Sequence, residues 1–574
     1  MRPDTKGGFS TTVRWRHLDK SIFLWLVLAG VLLALVVNPL VRLLWVSFQD
    51  GATGGFTLGN YLTAYGRWRY LEALVNSLVI GLAVGVLCTI FGVPMAWAVS
   101  RTDMPGKGLV WAAVLGTFIV PSYLSAVAWI LLAGPNAGWL NRIWKSLTGA
   151  AAGPFNIYSM SGLVLVIAAS SFPYMFVFTR AALDLVSSEM EEAATTLGAG
   201  VLRTTLRVTL PLTLPAIMAA FIVEFLEAIA LFGAPALIAL PGRFQVMTTT
   251  LWQFFEFPPK VEVAATYAMP LLVITVVMYW MQQRIIARKG YVALTGKGGE
   301  RRMVRLGGWR WAMLGYCLFV TALGFFLPMI VVLQAAFAKA WGRGFSLDNL
   351  TLHNVRFVLF DQPLTRDATI HTFVYGATSA AIALALALAI AYIVRRRLVP
   401  FGRALSYVAM APFVIPGIVL AIGFYAAYTK PPLAIYGTAW ILILAFATRF
   451  LPIAYANSDA ALRAINPELE DAVRILGGGR LLALRRVVGP LLKRGLAGAF
   501  ILVFIPAARE LSAAIFLYTT GTQVLSVLLF DKSDEGNFEV LSSMGLILVI
   551  GTVALVLAGF RLVGRDFMLK RTVS

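Results

Sequence analysis

The chain is poor in charged residues and in the residues that build metal sites. Asp, Glu, Lys and Arg make up only 13% of its 574 residues, and it contains two cysteines and three histidines. Cys88 and Cys317 both lie in apolar runs, where a free cysteine usually serves as a small core residue. The histidines are scattered, and no Cys or His spacing matches a metal-ligand motif. The sequence therefore gives no basis for a disulfide framework or a bound metal.

A nucleotide-binding loop is also missing from the sequence. No segment has the Gly-x-x-x-x-Gly-Lys-Ser/Thr form, in which backbone N–H groups and a lysine hold nucleotide phosphates. No arrangement of a nucleophile with a base stands out either. We therefore expect that this chain is not an enzyme, binds no cofactor of its own and does not hydrolyse ATP itself.

Apolar residues, in contrast, make up 59% of the chain and recur in long runs. A helix needs about 20 mostly apolar residues to cross a bilayer, and soluble domains rarely contain more than one such run. The pattern predicts an all-α polytopic membrane protein with about twelve spans. The predicted spans are 22–47, 72–100, 109–133, 159–180, 213–238, 264–286, 311–337, 371–394, 404–428, 433–456, 494–518 and 540–563.

The formal net charge of +21 would also suit a nucleic-acid-binding protein, but the basic residues are distributed differently. They fall mainly in the connectors between alternate spans, as the positive-inside rule requires of cytoplasmic segments. Outside the membrane flanks, no basic patch carries interleaved aromatic residues. The first apolar run is too long for a signal-peptide core. These patterns predict a multi-pass protein of a bacterial inner membrane, with both termini cytoplasmic and no nucleic-acid partner.

The sequence repeats itself after the sixth predicted span. Val120-Pro121, for example, returns as Ile415-Pro416, and Pro173 returns as Pro452. Six spans is an even number, so both halves begin on the same side and are related by a pseudo-two-fold axis along the membrane normal. The predicted organisation is a cytoplasmic tail (1–21), a first half (22–286), a cytoplasmic linker (287–310), a second half (311–565) and a second cytoplasmic tail (566–574).

One polar loop recurs at a constant spacing of 279 residues, within 187–211 and 466–490. Ser188 with Glu191, and Asn466 with Pro467, are signals that start a helix. A glycine then permits the left-handed turn that ends it. We expect two helix–turn–helix elements on the cytoplasmic face, which either dock a two-fold partner or are ordinary interfacial amphipathic helices. The residues singled out are Glu191, Glu192, Ala193, Ala194, Gly198 and Pro211 in the first copy, and Glu470, Asp471, Ala472, Gly477 and Pro490 in the second.

The first copy resembles the coupling loop of type I ABC importer permeases: Glu-Ala-Ala, three residues, Gly, nine residues, an aliphatic residue, one residue, then Leu-Pro. The second copy departs from it with Asp471 for Glu, Val473 for the second Ala and Gly489 for Leu. The chain therefore resembles a fused permease, with both halves in one polypeptide. The resemblance implies that each loop binds one subunit of a homodimeric cytoplasmic ATPase, which holds ATP and Mg²⁺. It also implies an extracytoplasmic substrate-binding protein that delivers the substrate.

Within this class, Arg509-Glu510-Leu511 and the segment 518–527 are similar to parts of fused iron(III) permeases. The similarity implies iron(III) as the transported substrate. The wider group also includes permeases for thiamine, aminoethylphosphonate and polyamines, so these substrates stay open. A gradient-driven secondary transporter with twelve spans is an alternative of another class, because it also has parallel halves and a central basic linker. It would give the repeated loop no role.

Among the charged residues within predicted spans, four are singled out, because charge there is costly and usually faces the bundle interior. Glu224 and Glu227 are three residues apart in span 5, hence on one helix face, and Arg509 and Glu510 lie in span 11. One interpretation is that the acids line a translocation path near the pseudo-two-fold axis and favour a cationic substrate. The other is that Arg509 pairs with one of the glutamates and fixes the packing of the helices. The two interpretations are compatible.

Overall fold

The computed structural model describes residues 20–186, 188–256, 258–288, 303–344 and 346–563. Over these residues the chain is helical, and extended pairing is limited to three isolated bridges. Helices suit a bilayer because they satisfy every backbone polar group within one segment. Within these described ranges, ten helices are long and apolar enough to cross a membrane. Numbered by the predicted spans, they are Ser21–Ser47 (1), Trp68–Arg101 (2), Met160–Leu185 (4), Val201–Ala230 (5), Val261–Ile285 (6), Trp309–Ala336 (7), Pro363–Arg395 (8), Ala439–Arg463 (10), Arg480–Ala508 (11) and Phe538–Gly559 (12).

Spans 3 and 9, predicted at 109–133 and 404–428, are each bent in the middle. Span 3 consists of Lys107–Ile119 and Ser122–Ala133, which meet at 104°, and span 9 of Gly402–Phe413 and Gly417–Tyr428, which meet at 111°. Pro121 and Pro416 lie at the two bends with extended backbone (ψ 145° and 140°). A proline has no N–H for the helical ladder and disfavours the helical conformation in the residue before it, so the repeated aliphatic-Pro pair breaks both helices.

Each bent pair still crosses the bundle once, as its packing shows. The two segments of span 3 pack in turn on the first and second parts of span 7, and those of span 9 on the first and second parts of span 1. Each bent span therefore advances beside a full-length helix of the opposite half. Tyr428 of span 9 donates to the carbonyl of Ala34 in span 1 (2.5 Å). The halves are interlocked through spans 1 and 7, and each contains six crossings.

Spans 5 and 11 begin earlier and end earlier than the predicted 213–238 and 494–518. They begin at Val201 and Arg480 because the second helix of each repeated loop continues into the span. The helix widens to a π-helical turn at Thr205–Thr209 and at Leu484–Val488, immediately before Pro211 and Pro490. These prolines cannot donate to an α-helical ladder, and a local π-helical turn is a common way to relieve such a position.

The predicted ends of these two spans form separate short helices after a break. Span 5 ends at Ala230, where Leu231 has extended backbone, and Gly233–Ala239 follows. Span 11 ends at Ala508, and Ala514–Leu517 follows after a non-helical segment. A hydroxyl holds each break, because Thr248 donates to the Leu231 carbonyl (2.9 Å) and Ser526 to the Glu510 carbonyl (2.8 Å). Spans 5 and 11 are thus interrupted at equivalent positions of the two halves, and a hydrogen-bonded hydroxyl supports each interruption.

The end of the predicted linker pairs with the first half. Val304 N–H donates to the carbonyl of Arg101 (2.8 Å), and Asp103 N–H donates to the carbonyl of Val304 (3.1 Å). The Asp103 carboxylate also accepts from Leu306 N–H (2.8 Å). The start of the second half is therefore held against the end of span 2. Residues 289–302 of the predicted linker and most of both predicted tails lie outside the described residues.

Candidate functional site

The two repeated loops have the same backbone. Each begins with a short helix, Ser188–Thr196 (coupling helix 1) or Glu468–Ile475 (coupling helix 2). Each helix ends at a left-handed glycine, Gly198 with φ 82° or Gly477 with φ 81°. The N–H of the next residue then donates back to the carbonyl five positions earlier, at 3.0 Å and 2.9 Å. The predicted left-handed turns are confirmed, and they end each helix.

The start of coupling helix 2 also follows the sequence signal. Asn466 accepts a hydrogen bond from Glu468 N–H (3.1 Å) through its side-chain oxygen, which is the geometry of an N-cap residue. Coupling helix 1 begins at Ser188 as predicted. The capping contact predicted for the Ser188 side chain lies outside the described residues.

Both loops present small, acidic and apolar side chains on the outer surface. Glu192, Ala193, Asp471 and Ala472 are exposed, Ala194 is half-buried, and Asp471 has only a loose partner in Arg474 (3.5 Å). Two leucines per loop are also exposed, at positions equivalent in the repeat. They are Leu197 (88%) and Leu202 (71%) in the first loop, and Leu476 (87%) and Leu481 (79%) in the second. Exposed apolar side chains beside small residues are typical of a surface that another protein covers.

Glu191 and Glu470 point the other way, into the bundle. Each is only 7% exposed. Glu191 lies beside the Arg101 guanidinium (3.5 Å), and Glu470 beside the Arg396 guanidinium (2.7 Å to Nε). Although sequence analysis grouped them with the docking surface, the structure places them beneath it. Pro211 and Pro490 are exposed at the entries of spans 5 and 11.

A cavity of about 310 Å³ lies between the two halves. Its wall contains both proline bends, at Pro121 and Pro416, and both helix breaks, at Leu231 and Glu510. All four interruptions in the helices thus meet at one place near the pseudo-two-fold axis. Such interruptions place backbone polar groups and helix ends where a substrate can reach them, as in other transporters.

Four charged side chains line this cavity: Glu227, Arg449, Arg509 and Glu510. Glu510 pairs with Arg449 (3.0 Å) and accepts from Ala513 N–H (2.8 Å). Arg509 donates to the carbonyl of Phe118, at the bend of span 3 in the opposite half. The predicted pairing of Arg509 with a glutamate was therefore wrong, because Arg449 takes that position. Arg509 instead ties the two halves together.

The predicted path residues divide into two groups. Glu227, Arg509 and Glu510 line the cavity, but Glu224 does not, and its placement on the path was wrong. Glu224 is fully buried and accepts from Met175 N–H (3.3 Å) in span 4. Positions three apart on a helix are neighbours but differ in direction by about 60°, which here separates cavity from core. Arg509 and Glu510 lie just beyond the last helical turn of span 11, not within it.

Sequence reasoning missed Arg449. It is a lone arginine in the apolar run of span 10, so its intramembrane position was an available signal. Its place depends on Gly417 at the start of the second segment of span 9, since a Cβ atom there would lie 1.0 Å from Arg449 Nη1. Among the described residues, no group of three or more His, Cys, Asp and Glu side chains is arranged to hold a metal ion.

Comparison with known proteins gives one family and several relatives. The family described as "Binding-protein-dependent transport system inner membrane component" matches residues 78–291 and again 381–565. A ferric transport system permease protein of Actinobacillus pleuropneumoniae is 26% identical over 536 residues, 91% of this chain and 75% of its own length. A putative ferric transport system permease protein of Haemophilus influenzae is 26% identical over 86% of this chain and 77% of its own length.

A relative about half as long is also similar. The putative 2-aminoethylphosphonate transport system permease protein of Salmonella paratyphi A is 27% identical over 239 residues. The alignment covers 41% of this chain but 87% of that relative. A single repeat of this chain therefore corresponds to nearly a whole protein elsewhere, which agrees with two fused halves.

Proposed function

The chain belongs to the family of binding-protein-dependent transport system inner membrane components, and from this premise we propose that it is the permease of an ATP-driven importer. In this proposal an extracytoplasmic binding protein delivers the substrate to one face of the bundle. A homodimeric ATPase binds the opposite face, one subunit on each coupling helix, and the substrate passes through the axial cavity. Both termini then lie in the cytoplasm, as the charge distribution predicts.

The observation that carries this proposal is the pair of coupling helices. Two loops with the same left-handed turn, the same exposed leucines and an acidic residue at the same place suit a partner with two-fold symmetry. Each half has six crossings, so both loops emerge on the same face. A gradient-driven transporter needs no such pair, and therefore the repeated loops favour the ATP-driven class over that alternative.

The axial cavity supports an alternating-access path. It lies where the halves meet, so a movement of one half against the other would open it toward one face or the other. Ser122, Tyr123, Ser170 and Tyr174 also line it, besides the four charged residues. Loose polar contacts of this kind suit conduction, since a permease must release what it binds.

For the substrate we propose iron(III). Two relatives that align with most of the chain are named as ferric permeases, and the cavity offers carboxylate oxygens from Glu227 and Glu510, which a hard cation prefers. The second candidate is an aminoethylphosphonate, because the same cavity contains the guanidinium groups of Arg449 and Arg509, which suit an anionic phosphonate. Thiamine and polyamines remain further alternatives within the class.

Uptake into vesicles tests the class of transporter. The full-length chain would be reconstituted with its partner ATPase and binding protein, and uptake measured with ATP and, separately, with a proton or sodium gradient alone. We expect uptake only with ATP, ATPase and binding protein together. Gradient-driven uptake without the ATPase would refute the proposal. Affinities of the binding protein for iron(III), aminoethylphosphonate, thiamine and polyamines would then decide the substrate.

A further inference from the structure

Beneath each coupling helix lies a buried arginine–glutamate pair. Arg101 is the last residue of span 2, and Arg396 directly follows span 8, the equivalent span of the second half. Their partners, Glu191 and Glu470, occupy equivalent positions in the two coupling helices, 279 residues apart. The same pair has therefore been kept in both halves, although the helices around it differ in sequence.

In the first half, the pair joins four segments of the chain. Arg101 lies 3.5 Å from Glu191, and it donates to the carbonyls of Leu183 (2.5 Å) and Val186 (2.8 Å) at the end of span 4. Glu191 also accepts from the Thr209 hydroxyl (2.8 Å) in the π-helical turn that begins span 5. Coupling helix 1 is thus connected to spans 2, 4 and 5 through one buried carboxylate.

In the second half, two arginines share the same task. Glu470 accepts from Arg396 Nε (2.7 Å) and from the Tyr392 hydroxyl (2.8 Å), so coupling helix 2 is fixed to span 8. The neighbouring Arg395 pairs with Asp459 near the end of span 10, and Arg463 adds a second contact to that carboxylate (2.7 Å). Charged pairs therefore connect the coupling helix to span 8 and span 8 to span 10, with the Tyr392 hydroxyl supporting the first of these connections.

Spans 4 and 10 are the elements that these connections share, and both line the axial cavity. Ser170 and Tyr174 of span 4, and Arg449 of span 10, are in its wall. A buried ion pair is costly to separate, because each partner left alone is an uncompensated charge out of water. In the first half, a shift of the coupling helix therefore pulls on Arg101, which holds the end of span 4. In the second half it pulls on Arg396 at the end of span 8, where the neighbouring Arg395 holds the end of span 10.

We propose that Glu191 and Glu470 are positioning residues that transmit movement of the coupling helices to spans 4 and 10, and that they do not contact the ATPase. This inference rests on the proposed function, since it takes the exposed faces of the same helices as the ATPase surface. The exposed neighbours Glu192 and Asp471 then bind the ATPase, while the buried residues one position earlier determine whether its closure reaches the cavity.

The test compares buried and exposed acids on the same helix. Glu191→Gln and Glu470→Gln would be measured beside Glu192→Gln and Asp471→Asn for co-purification of the ATPase, ATP hydrolysis and uptake in vesicles. We expect the buried variants to retain the ATPase and to transport about tenfold less substrate per ATP, within the usual range for coupling between sites. The exposed variants should instead lose the ATPase.

A double variant separates the transmission of movement from the folding of the chain. Glu470→Gln with Arg396→Gln removes both charges, so no buried charge is left alone, and it should restore membrane yield while the transport-to-ATP ratio stays low. An unchanged ratio in all buried variants, or loss of the ATPase equal to that in Glu192→Gln, would overturn the inference. Failure of the unmodified chain to take up substrate with ATP would refute the proposed function instead, and the two failures are distinguishable.

Discussion

The two halves are alike in their repeated loops and unlike where they enclose the cavity. The coupling helices, the left-handed glycines and the π-helical turns agree position by position. Three of the four cavity charges, however, come from the second half, and at the 279-residue spacing the equivalents of Arg449, Arg509 and Glu510 are Ser170, Ala230 and Leu231. On the proposed function, the duplicated scaffold has kept its symmetry for a two-fold ATPase, while the cavity has diverged because a substrate imposes no such symmetry.

The largest effect should follow from breaking the symmetric part. Gly198→Pro places a residue with φ near −65° where the chain needs +82°, so coupling helix 1 loses its turn. We expect normal membrane insertion, loss of ATPase co-purification and uptake at background. Gly200→Ala is the matched control, because that glycine has no positive φ and no neighbour near its Cβ position. Full transport by Gly198→Pro would show that the turn is dispensable.

Glu192→Lys and Asp471→Lys would compare the two loops directly. Both replace an exposed acid on the proposed ATPase surface with a base, and we expect both to reduce uptake at least tenfold, the range typical of a lost charged contact in an interface. The second loop already departs from the family pattern, so Asp471→Lys should have the smaller effect. If both variants retained the ATPase as well as the unmodified chain does, docking through these acids would be contradicted.

In the cavity, the asymmetry predicts unequal effects at equivalent positions. Arg449→Gln leaves the Glu510 carboxylate without its ion-pair partner and should reduce uptake by roughly tenfold. Ser170→Ala, its equivalent in the first half, should change uptake less than twofold. Substrate uptake at constant ATPase content measures both. If the two substitutions had equal effects, the path would be functionally symmetric despite its charges.

Gly417→Ala should reproduce the Arg449 defect from a neighbouring helix. The added Cβ would lie 1.0 Å from Arg449 Nη1, so the guanidinium must leave its place beside Glu510. We expect uptake to fall severalfold, somewhat less than for Arg449→Gln because the charge remains nearby. Gly315→Ala in span 7 is the control, since its Cβ position has no neighbour within 4 Å. Wild-type uptake by Gly417→Ala would mean that the ion pair is not required.

The smallest effects should come from the hydroxyls that hold the helix breaks. Thr248→Val and Ser526→Ala each remove one hydrogen bond to a break carbonyl, a loss of about 1 kcal/mol. Thermal stability in detergent should fall slightly and equally in both variants. Uptake should fall further for Ser526→Ala, because its partner carbonyl belongs to Glu510. Equal uptake by the Thr248→Val and Ser526→Ala variants would show that the two helix breaks contribute equally to transport.

Much of the fold could be predicted from the sequence because its signals are local. Apolar runs set the spans, repeated motifs set the halves, and Gly198 and Gly477 set the turns. The aliphatic-Pro pairs were visible at 120–121 and 415–416, yet a proline inside a span does not by itself decide between a mild kink and a bend above 100°. Pro173, Pro215 and Pro452 remain inside continuous helices. The two bent spans pack along spans 7 and 1 of the opposite half, a long-range contact that the local sequence does not reveal.

The site was less predictable, because side-chain direction depends on tertiary packing. The sequence places Glu224 and Glu227 on one helix face. In the structure, span 4 covers Glu224, while Glu227 faces the cavity. Glu191 and Glu192 are adjacent, and only the position of Arg101, 90 residues earlier, makes the first a buried anchor. The ion pair between Arg449 and Glu510 was equally hard to predict, since the two residues lie 61 positions apart and no local sequence pattern joins them.

Spans 1 and 7 each pack against the bent span of the opposite half, and this arrangement has a consequence for biosynthesis. Span 3 of the first half packs along span 7, which the ribosome makes only after the first half is complete. The newly made first half must therefore wait in the membrane with one side of its bent helix uncovered. Because both halves belong to one polypeptide, span 7 is made on the same chain and in equal amount. It can then pack on span 3 within one round of translation.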